Sequence, residues 1–139
     1  MTPLPKYRPR QLKLGPLESE ILNIIWDLNL ATVKDILDRI LADPDRELAY
    51  ASVMTVLRRL QQKGWLSCQK QGRIFYWQVL VSRQEAKALE AYHQLNRFLE
   101  VGTADIVAAF ADDLDQTSQA KIEAIAARLK AIRQARESE

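Results

Sequence analysis

The sequence is poor in the residues that most often carry enzyme chemistry. Among its 139 residues there is one cysteine, Cys68, and one histidine, His93. A lone cysteine excludes a disulfide within the chain, and a zinc or cluster site would need ligands from elsewhere. Acid–base or nucleophilic catalysis needs several converging titratable groups, which one histidine does not supply. We therefore predict that the protein is not an enzyme and that it uses no cofactor, no metal and no small-molecule substrate.

Structural roles are the simplest expectation for both of these residues. Cys68 falls on a predicted strand with no second thiol nearby, so we expect it to be buried and inert. Redox control through its thiol is the less favoured alternative. His93 falls in a predicted helix, where we expect it to pack against neighbours or to face solvent.

Long apolar runs are also missing. No segment is apolar over enough residues to span a bilayer, and the amino terminus lacks the hydrophobic core of a signal peptide. We therefore expect a cytoplasmic protein without a membrane partner. The hydrophobic content of 47% suffices for one good core and a smaller appended one.

Acidic residues are absent from one long stretch. Asp and Glu make up 18 of the 139 residues, yet none lies between Leu48 and Gln84. A surface without negative charge suits a polyanion, because each phosphate that Lys or Arg neutralises releases a condensed counterion. We predict that this stretch forms a nucleic-acid-binding face, with a chance gap on a solvated surface as the alternative. Its cations are Arg58, Arg59, Lys63, Lys70, Arg73 and Arg83.

The first 13 residues differ in composition from the rest of the chain. Prolines and cations alternate there, and apolar periodicity is almost absent. We predict that residues 1–13 form a disordered basic arm that does not contribute to a core. Such an arm can enter a minor groove of DNA, although most disordered tails are simply solvated.

Two helices are predicted after the arm. Gly15 and Pro16 suit the cap and the first turn of a helix, and apolar residues then recur on one helical face. Thr32 and Asp35 have the spacing of a capping box, which begins a second helix that ends before Pro44.

A third helix and a β-ribbon follow. The helix is expected to end near Gly64, and its buried face is predicted from apolar residues at helical spacing, namely Val53, Val56, Leu57 and Leu60. The apolar period then changes from 3.6 to 2, and residues 65–70 and 73–79 flank Gln71-Gly72, the predicted hairpin tip. Three short helices followed by a ribbon have the order of a winged helix-turn-helix domain, which we assign to residues 14–81.

Aromatic residues of the ribbon are expected to serve the core. Phe75, Trp77 and Val79 alternate on one face of the second strand, and we predict that this face packs on the first and third helices. Stacking of these side chains on bases is a minority alternative.

Three further helices are predicted in residues 82–139. Ser82 and Glu85 form another capping box, Gly102 separates a long helix from a short one, and the last helix spaces apolar residues by three and four, as coiled coils do. No other apolar surface remains to cover these helices, so they either fold back on the winged domain or pair with another copy. We favour a dimerisation domain, whose predicted contacts are Leu89, Tyr92, Leu99, Ile106, Phe110, Ile122, Ile125, Leu129 and Ile132. The predicted fold class is therefore mainly α (α+β).

The outward face of the third helix has the side chains that read bases. On the floor of a major groove, base edges are contacted by short hydroxyls, by methyl groups and by the guanidinium of Arg. We predict a base-reading face made of Ala51, Ser52, Met54, Thr55 and Arg58. Phosphate contacts are predicted from Arg59 and Lys63 and from the ribbon tip, or wing, with Lys70 and Arg73.

Three segments together resemble the penicillinase repressor family. They are LESEILNIIW at residues 17–26, AYASVMTVLRRL at residues 49–60 with Lys63-Gly64 behind it, and GRIF at residues 72–75. The similarity runs from about Leu14 to about Arg133. The resemblance implies a dimeric repressor with an amino-terminal winged helix, which binds a palindromic operator, and a carboxyl-terminal helical dimerisation domain.

The chain departs from this family where its relatives sense signals. Antibiotic-responsive members are cleaved after an Asn that precedes Phe, and the matching residues here are Ala109-Phe110. The cysteine-rich metal site of copper-responsive relatives is missing as well. Without the cleavage site and the metal site, the inducing signal does not follow from the resemblance. Ser52 stands where family members usually have Thr, so the operator sequence does not follow from it either.

These observations lead to one predicted function and one alternative. We predict a sequence-specific transcriptional regulator, a repressor that binds a palindromic operator in double-stranded DNA as a homodimer. The alternative is a winged-helix module that binds other proteins and has no sequence-specific affinity for DNA.

Overall fold

A computed structural model of the chain describes residues 4–138, and within them it has six helices and one two-stranded antiparallel sheet. The order of the elements confirms the predicted fold class: mainly α, with a winged helix-turn-helix followed by three helices. In chain order the elements are α1 (Pro16–Leu28), α2 (Val33–Leu41), α3 (Tyr50–Gln62), β1 (Leu66–Gln71), β2 (Ile74–Val79), α4 (Arg83–Val101), α5 (Ala104–Asp113) and α6 (Gln116–Glu137).

The first two helices begin at the predicted residues. The Gly15 N–H donates to the Glu18 carboxylate at 3.0 Å, and proline lies in the first turn of α1, where its missing N–H costs nothing. At α2, Thr32 and Asp35 form the expected reciprocal cap: the Asp35 N–H donates to Thr32 Oγ1 at 3.1 Å, and the Thr32 N–H donates to Asp35 Oδ2 at 3.0 Å.

Helix α3 turns its apolar face into the core. Each of the four predicted residues is buried, namely Val53, Val56, Leu57 and Leu60. The helix ends at Gln62, and Gly64 has a φ of +89°, in the left-handed region that favours glycine. Because the inner face is fixed by packing, the orientation of the outer face is fixed as well.

The wing is a tight hairpin. Its strands pair from Leu66 with Val79 through to Gln71 with Ile74, so the turn is Gly72-Arg73 and lies one residue beyond the predicted Gln71-Gly72. Gly72 has a φ of +64°, as tight two-residue hairpin turns require. The shift places Arg73 within the turn itself.

The aromatic face of β2 is buried only in part. Trp77 is buried and Val79 packs against the core, as predicted, but Phe75 is 48% exposed. Phe75 pairs with Lys70 close to the turn, where the ribbon extends beyond the core. The prediction that Phe75 belongs to the core is therefore wrong, and its ring instead lies 5.7 Å from the Lys70 ammonium.

The amino-terminal segment, residues 4–13, differs from the predicted disordered arm. Residues 1–3 of that arm lie outside the described residues. The segment has no helix or strand, but the Arg10 and Gln11 N–H groups donate to the Lys63 carbonyl at 2.8 and 3.2 Å, and the Tyr7 hydroxyl donates to the Gly64 carbonyl at 2.6 Å. Leu12 packs against the core. The segment is held by hydrogen bonds to the backbone carbonyls of Lys63 and Gly64. Because every residue has such a carbonyl, no pattern in the sequence indicates these contacts.

The chain forms two compact units that divide between Leu95 and Asn96, inside α4. The boundary lies later than the predicted one at residue 81, because the first turns of α4 belong to the winged unit. Leu89 is only 1% exposed there, and Arg83 contacts Asp27 of α1 at 2.9 Å. Leu89 is therefore covered within the chain, which corrects its assignment to the dimerisation contacts.

The second unit has no buried core in the single chain. None of the described residues 96–138 is buried, and the rings of Phe98 and Phe110 stack with centroids 5.1 Å apart. Among residues 4–138, no helix is long and apolar enough to cross a membrane.

We expect Gly64→Ala to destabilise the fold more than Gly72→Ala. A left-handed backbone costs a non-glycine residue about 1–2 kcal/mol. At Gly64 a Cβ would also lie 3.1 Å from the Arg10 nitrogen and from the Tyr7 hydroxyl, whereas at Gly72 nothing lies within 4 Å. Urea unfolding of both variants measures the difference, and equal losses of stability would show that the amino-terminal segment does not crowd Gly64.

Candidate nucleic-acid interface

The outer face of α3 presents most of the predicted base-reading side chains to solvent. Ala51, Thr55 and Arg58 are exposed, while Ser52 and Met54 are half-buried, and Met54 also packs against the core. The Thr55 hydroxyl donates to the Ala51 carbonyl at 2.9 Å, and its oxygen keeps the capacity to accept a hydrogen bond. The face therefore combines small apolar contacts, one acceptor and one guanidinium.

Four cations in or beside this face have no carboxylate partner. Among residues 4–138, no acidic oxygen lies within 4.0 Å of Arg58, Arg59, Lys70 or Arg73. All four side chains are exposed. Cations in this state bind an anion without first breaking an ion pair, which favours phosphate binding.

Lys63 differs from its predicted role as a phosphate ligand. Its ammonium lies 3.0 and 2.9 Å from the two carboxylate oxygens of Glu18 and donates to the Lys13 carbonyl at 3.0 Å. The side chains of Lys63 and Glu18 are only 21% and 12% exposed. Lys63 is thus a structural cation that joins the end of α3 to the start of α1.

The contact with Lys63 favours the ionised form of the Glu18 carboxylate. Burial, the largest single influence, raises the pKa of Glu18, but hydrogen bonds from Lys63 and from the Gly15 N–H, together with the positive charges of Lys63 and Arg59, outweigh it and leave the pKa below its ordinary value. Arg83, another cation of the acid-free stretch, is likewise engaged, by Asp27 at 2.9 Å. Two of the six cations in that stretch therefore support the fold.

Tyr50 is an exposed residue of this region that lies outside the predicted site. It is the first residue of α3 and is 58% exposed. Its hydroxyl is a donor of the kind that contacts phosphates at the edge of a groove. The signal was available, because Tyr50 is a large aromatic residue at the start of the predicted helix and inside the acid-free stretch.

Cys68 and His93 belong to no cluster of possible metal ligands among the described residues. Cys68 is half-buried and packs against the core, and burial raises the pKa of its thiol, which disfavours the reactive thiolate. His93 is exposed on α4. Over the part of the chain that the structure describes, no three His, Cys, Asp or Glu side chains lie close enough to hold a metal ion.

Most of the predicted dimerisation residues are exposed apolar side chains. Ile125 and Leu129 of α6 are each 59% exposed, and Ile132 is half-buried. The remaining exposed members are Tyr92, Leu99, Ile106, Phe110 and Ile122. With the outer face of α3 and the wing, these features define a winged-helix DNA-binding protein with an appended helical unit.

Comparison with known proteins identifies the family. The family model described as penicillinase repressor matches residues 14–131. The methicillin resistance regulatory protein MecI of Mammaliicoccus sciuri is 27% identical over 111 residues, which cover 80% of this chain and 88% of the relative. MecI of Staphylococcus aureus (strain N315) is 26% identical over 111 residues, with the same coverage. Among solved structures, the DNA-binding domain of the repressor BlaI is 20% identical, with a TM-score of 0.45, and covers 61% of this chain and 93% of that one.

The chain belongs to the penicillinase repressor family, because the family model spans most of its length. This confirms the resemblance found in the sequence. Members of the family are transcriptional repressors and not enzymes, so the protein is a DNA-binding transcriptional repressor. The prediction of a regulator without catalytic activity is confirmed. The family favours DNA binding over the alternative of a module that binds only other proteins.

We expect Glu18→Gln to lower the free energy of unfolding by about 1–3 kcal/mol at pH 7, because Lys63 would lose its charged partner. The pKa of Glu18 is depressed in the folded state. Its contribution is therefore present above its ordinary pKa of about 4.3 and is lost as the pH falls through the folded value. Urea unfolding from pH 7 to pH 3 should show the wild type and the variant converging.

A matched control for this measurement is Glu123→Gln on α6, where the carboxylate is exposed. This variant should unfold like the wild type at every pH. A constant difference between wild type and Glu18→Gln down to pH 3 would contradict the ionised pair.

Proposed function

We propose that this repressor acts in the cytoplasm as a homodimer, which places two copies of α3 in successive major grooves of a palindromic operator and so blocks a promoter. The observation that carries the proposal is the outer face of α3. There Ala51, Thr55 and Arg58 are exposed, and no carboxylate among residues 4–138 lies within 4.0 Å of Arg58.

The chemistry of this face suits base edges. Arg58 can donate two hydrogen bonds to O6 and N7 of a guanine, which is the commonest specific contact in a major groove. The methyl groups of Ala51 and Thr55 can contact the methyl group of thymine. Ser52 and Met54 flank these residues and complete the proposed base-reading set.

The wing and the flank of α3 would position α3 in the groove without selecting a base sequence. Lys70 and Arg73 lie at the hairpin turn, and Arg59 lies on the flank of α3. Cations at such places contact phosphates, which fix register and orientation but carry no sequence information directly. The exposed ring of Phe75 beside Lys70 restrains that ammonium at the tip.

The second unit would supply the symmetry. Its exposed apolar residues recur along α6 by three and four residues, the spacing of a helix that pairs with another helix. A twofold dimer would present the two α3 helices about 34 Å apart, which is one turn or about 10 base pairs of duplex. A palindromic operator matches this symmetry.

Base-reading and phosphate-contacting residues should differ in their effect on specificity. We expect Arg58→Ala and Thr55→Ala to reduce the ratio of operator affinity to random-duplex affinity, by about 1–3 kcal/mol for Arg58. Lys70→Ala and Arg73→Ala should weaken both affinities by the same factor and make the slope of log affinity against log salt shallower by about 0.9 for each phosphate that is no longer neutralised. Fluorescence anisotropy at four salt concentrations measures all of these quantities.

Lys130→Ala on α6 is the control for charge alone and should leave the specificity ratio unchanged. Equal reductions of specificity at all four positions would contradict the division into reading and positioning roles. Weak duplex binding by the wild type at every salt concentration would refute the groove-binding arrangement itself.

The dimer contact is tested on α6. We expect Ile125→Lys or Leu129→Lys to yield monomers, because a charge in an apolar helix contact must be desolvated. Affinity for the complete operator should then fall by about 100-fold or more, since the two half-sites would be bound independently. Sedimentation equilibrium gives the mass of each variant.

Ala127→Lys provides the control, because residue 127 lies on the opposite side of α6 and is exposed. It should sediment and bind like the wild type. Dimers of unchanged stability in Leu129→Lys would refute pairing through this face.

A further inference from the structure

We propose that the amino-terminal segment, residues 4–13, is a docked extension of the DNA-binding face and contacts the phosphate backbone beside the carboxyl end of α3. The inference deepens the proposed function and rests on it, because it assigns a second phosphate-binding surface to the same DNA complex. It concerns a part of the chain that lies ahead of the residues matched by the family model, which begins at residue 14.

The first argument is that the segment is anchored to the turn after α3. The Lys63 carbonyl accepts hydrogen bonds from the Arg10 and Gln11 N–H groups at 2.8 and 3.2 Å. The Tyr7 hydroxyl donates to the Gly64 carbonyl at 2.6 Å. Trp65 adds another hydrogen bond to the segment, because its indole N–H donates to the Gln11 carbonyl at 2.9 Å.

The anchor also depends on glycine. A Cβ at Gly64 would lie 3.1 Å from the Arg10 nitrogen, 3.1 Å from the Tyr7 hydroxyl and 3.3 Å from the Cα of Pro9. Pro9 is buried in this contact. The segment therefore has one defined position against the end of the reading helix.

The second argument is the charge that the segment presents. Lys6, Arg10 and Lys13 are exposed, and among residues 4–138 no carboxylate lies within 4.0 Å of any of them. The first acid of the chain is Glu18, and Lys63 neutralises it. The segment therefore adds positive charge beside the turn that follows α3.

Arg8 is the exception among the cations of the segment. Its guanidinium lies 5.4 Å from the centroid of the Tyr92 ring, and its Nε donates to the Pro5 carbonyl at 3.5 Å. Arg8 therefore ties the segment to α4, and we assign the phosphate contacts to Lys6 and Arg10, with Lys13 beside them.

The third argument is reach. A helix of 13 residues such as α3 is about 20 Å long, whereas a major groove is about 12 Å wide, so the ends of the helix lie near the strands that border the groove. Among the described residues, the carboxyl end of α3 offers one free cation, Arg59, because Lys63 is engaged by Glu18. The docked segment would add Lys6, Arg10 and Lys13 to that cation at this end of the helix. Because they are held in place before binding, less conformational freedom is lost on binding DNA.

The test uses the full-length dimer and the variant Lys6→Ala/Arg10→Ala. Removing two cations that each neutralise a phosphate should make the slope of log affinity against log salt shallower by about 1.8. Affinity for the operator and for random duplex should fall by the same factor. The matched control Lys87→Ala/Lys130→Ala removes two exposed cations of α4 and α6 and should leave the slope unchanged.

A second variant separates docking from charge. Tyr7→Phe keeps every cation and removes the hydroxyl that donates to the Gly64 carbonyl. We expect it to weaken operator binding while the mass of the dimer stays the same. Wild-type affinity in Tyr7→Phe would overturn the docked arrangement.

The remaining outcomes also decide the proposal. A wild-type slope in Lys6→Ala/Arg10→Ala would overturn the phosphate contacts, and a reduction of affinity confined to the operator would overturn them in favour of base reading by the segment. In both cases steep, sequence-specific binding by the wild-type dimer would still uphold the proposed function, so the two failures are distinguishable.

Discussion

The turn that follows α3 is the contact on which the DNA-binding unit depends. Apolar packing fixes the inner face of α3, but it leaves the ends of the helix to be held by polar contacts. At the carboxyl end the Lys63 ammonium holds Glu18 in the first turn of α1, and the Lys63 and Gly64 carbonyls hold the amino-terminal segment. The carboxyl end of α3 is thus held to α1 and to the amino-terminal segment, and these contacts add to the apolar packing that fixes the direction of the outward face.

Local patterns explain why so much of the fold could be predicted from the sequence. The capping box of Thr32 and Asp35 and the apolar spacing of Val53 to Leu60 each act within one helix, so the sequence contains the whole cause. The acid-free stretch is similarly local, and it led to the exposed cations Arg58 and Arg73. These predictions needed no knowledge of which elements meet in space.

The predictions that failed depend on distant partners or on the extent of the core. The sequence predicts that Lys63 binds phosphate, but the fold places Glu18, 45 residues away in the chain, beside its ammonium. The alternation of β2 places Phe75 and Trp77 on one face, but the extent of the core decides that only Trp77 is covered. Leu89 follows the apolar spacing of a dimer helix, yet it is already buried within the single chain.

The absence of buried side chains among the described residues 96–138 has a thermodynamic consequence. A unit that finds its core only on a second copy folds in a bimolecular reaction, so its midpoint of thermal unfolding rises with protein concentration. In the proposed homodimer, dilution would therefore remove the folded unit and separate the two α3 helices at the same time. The amount of repressor in the cell would set both how much of it is intact and how tightly it holds its operator.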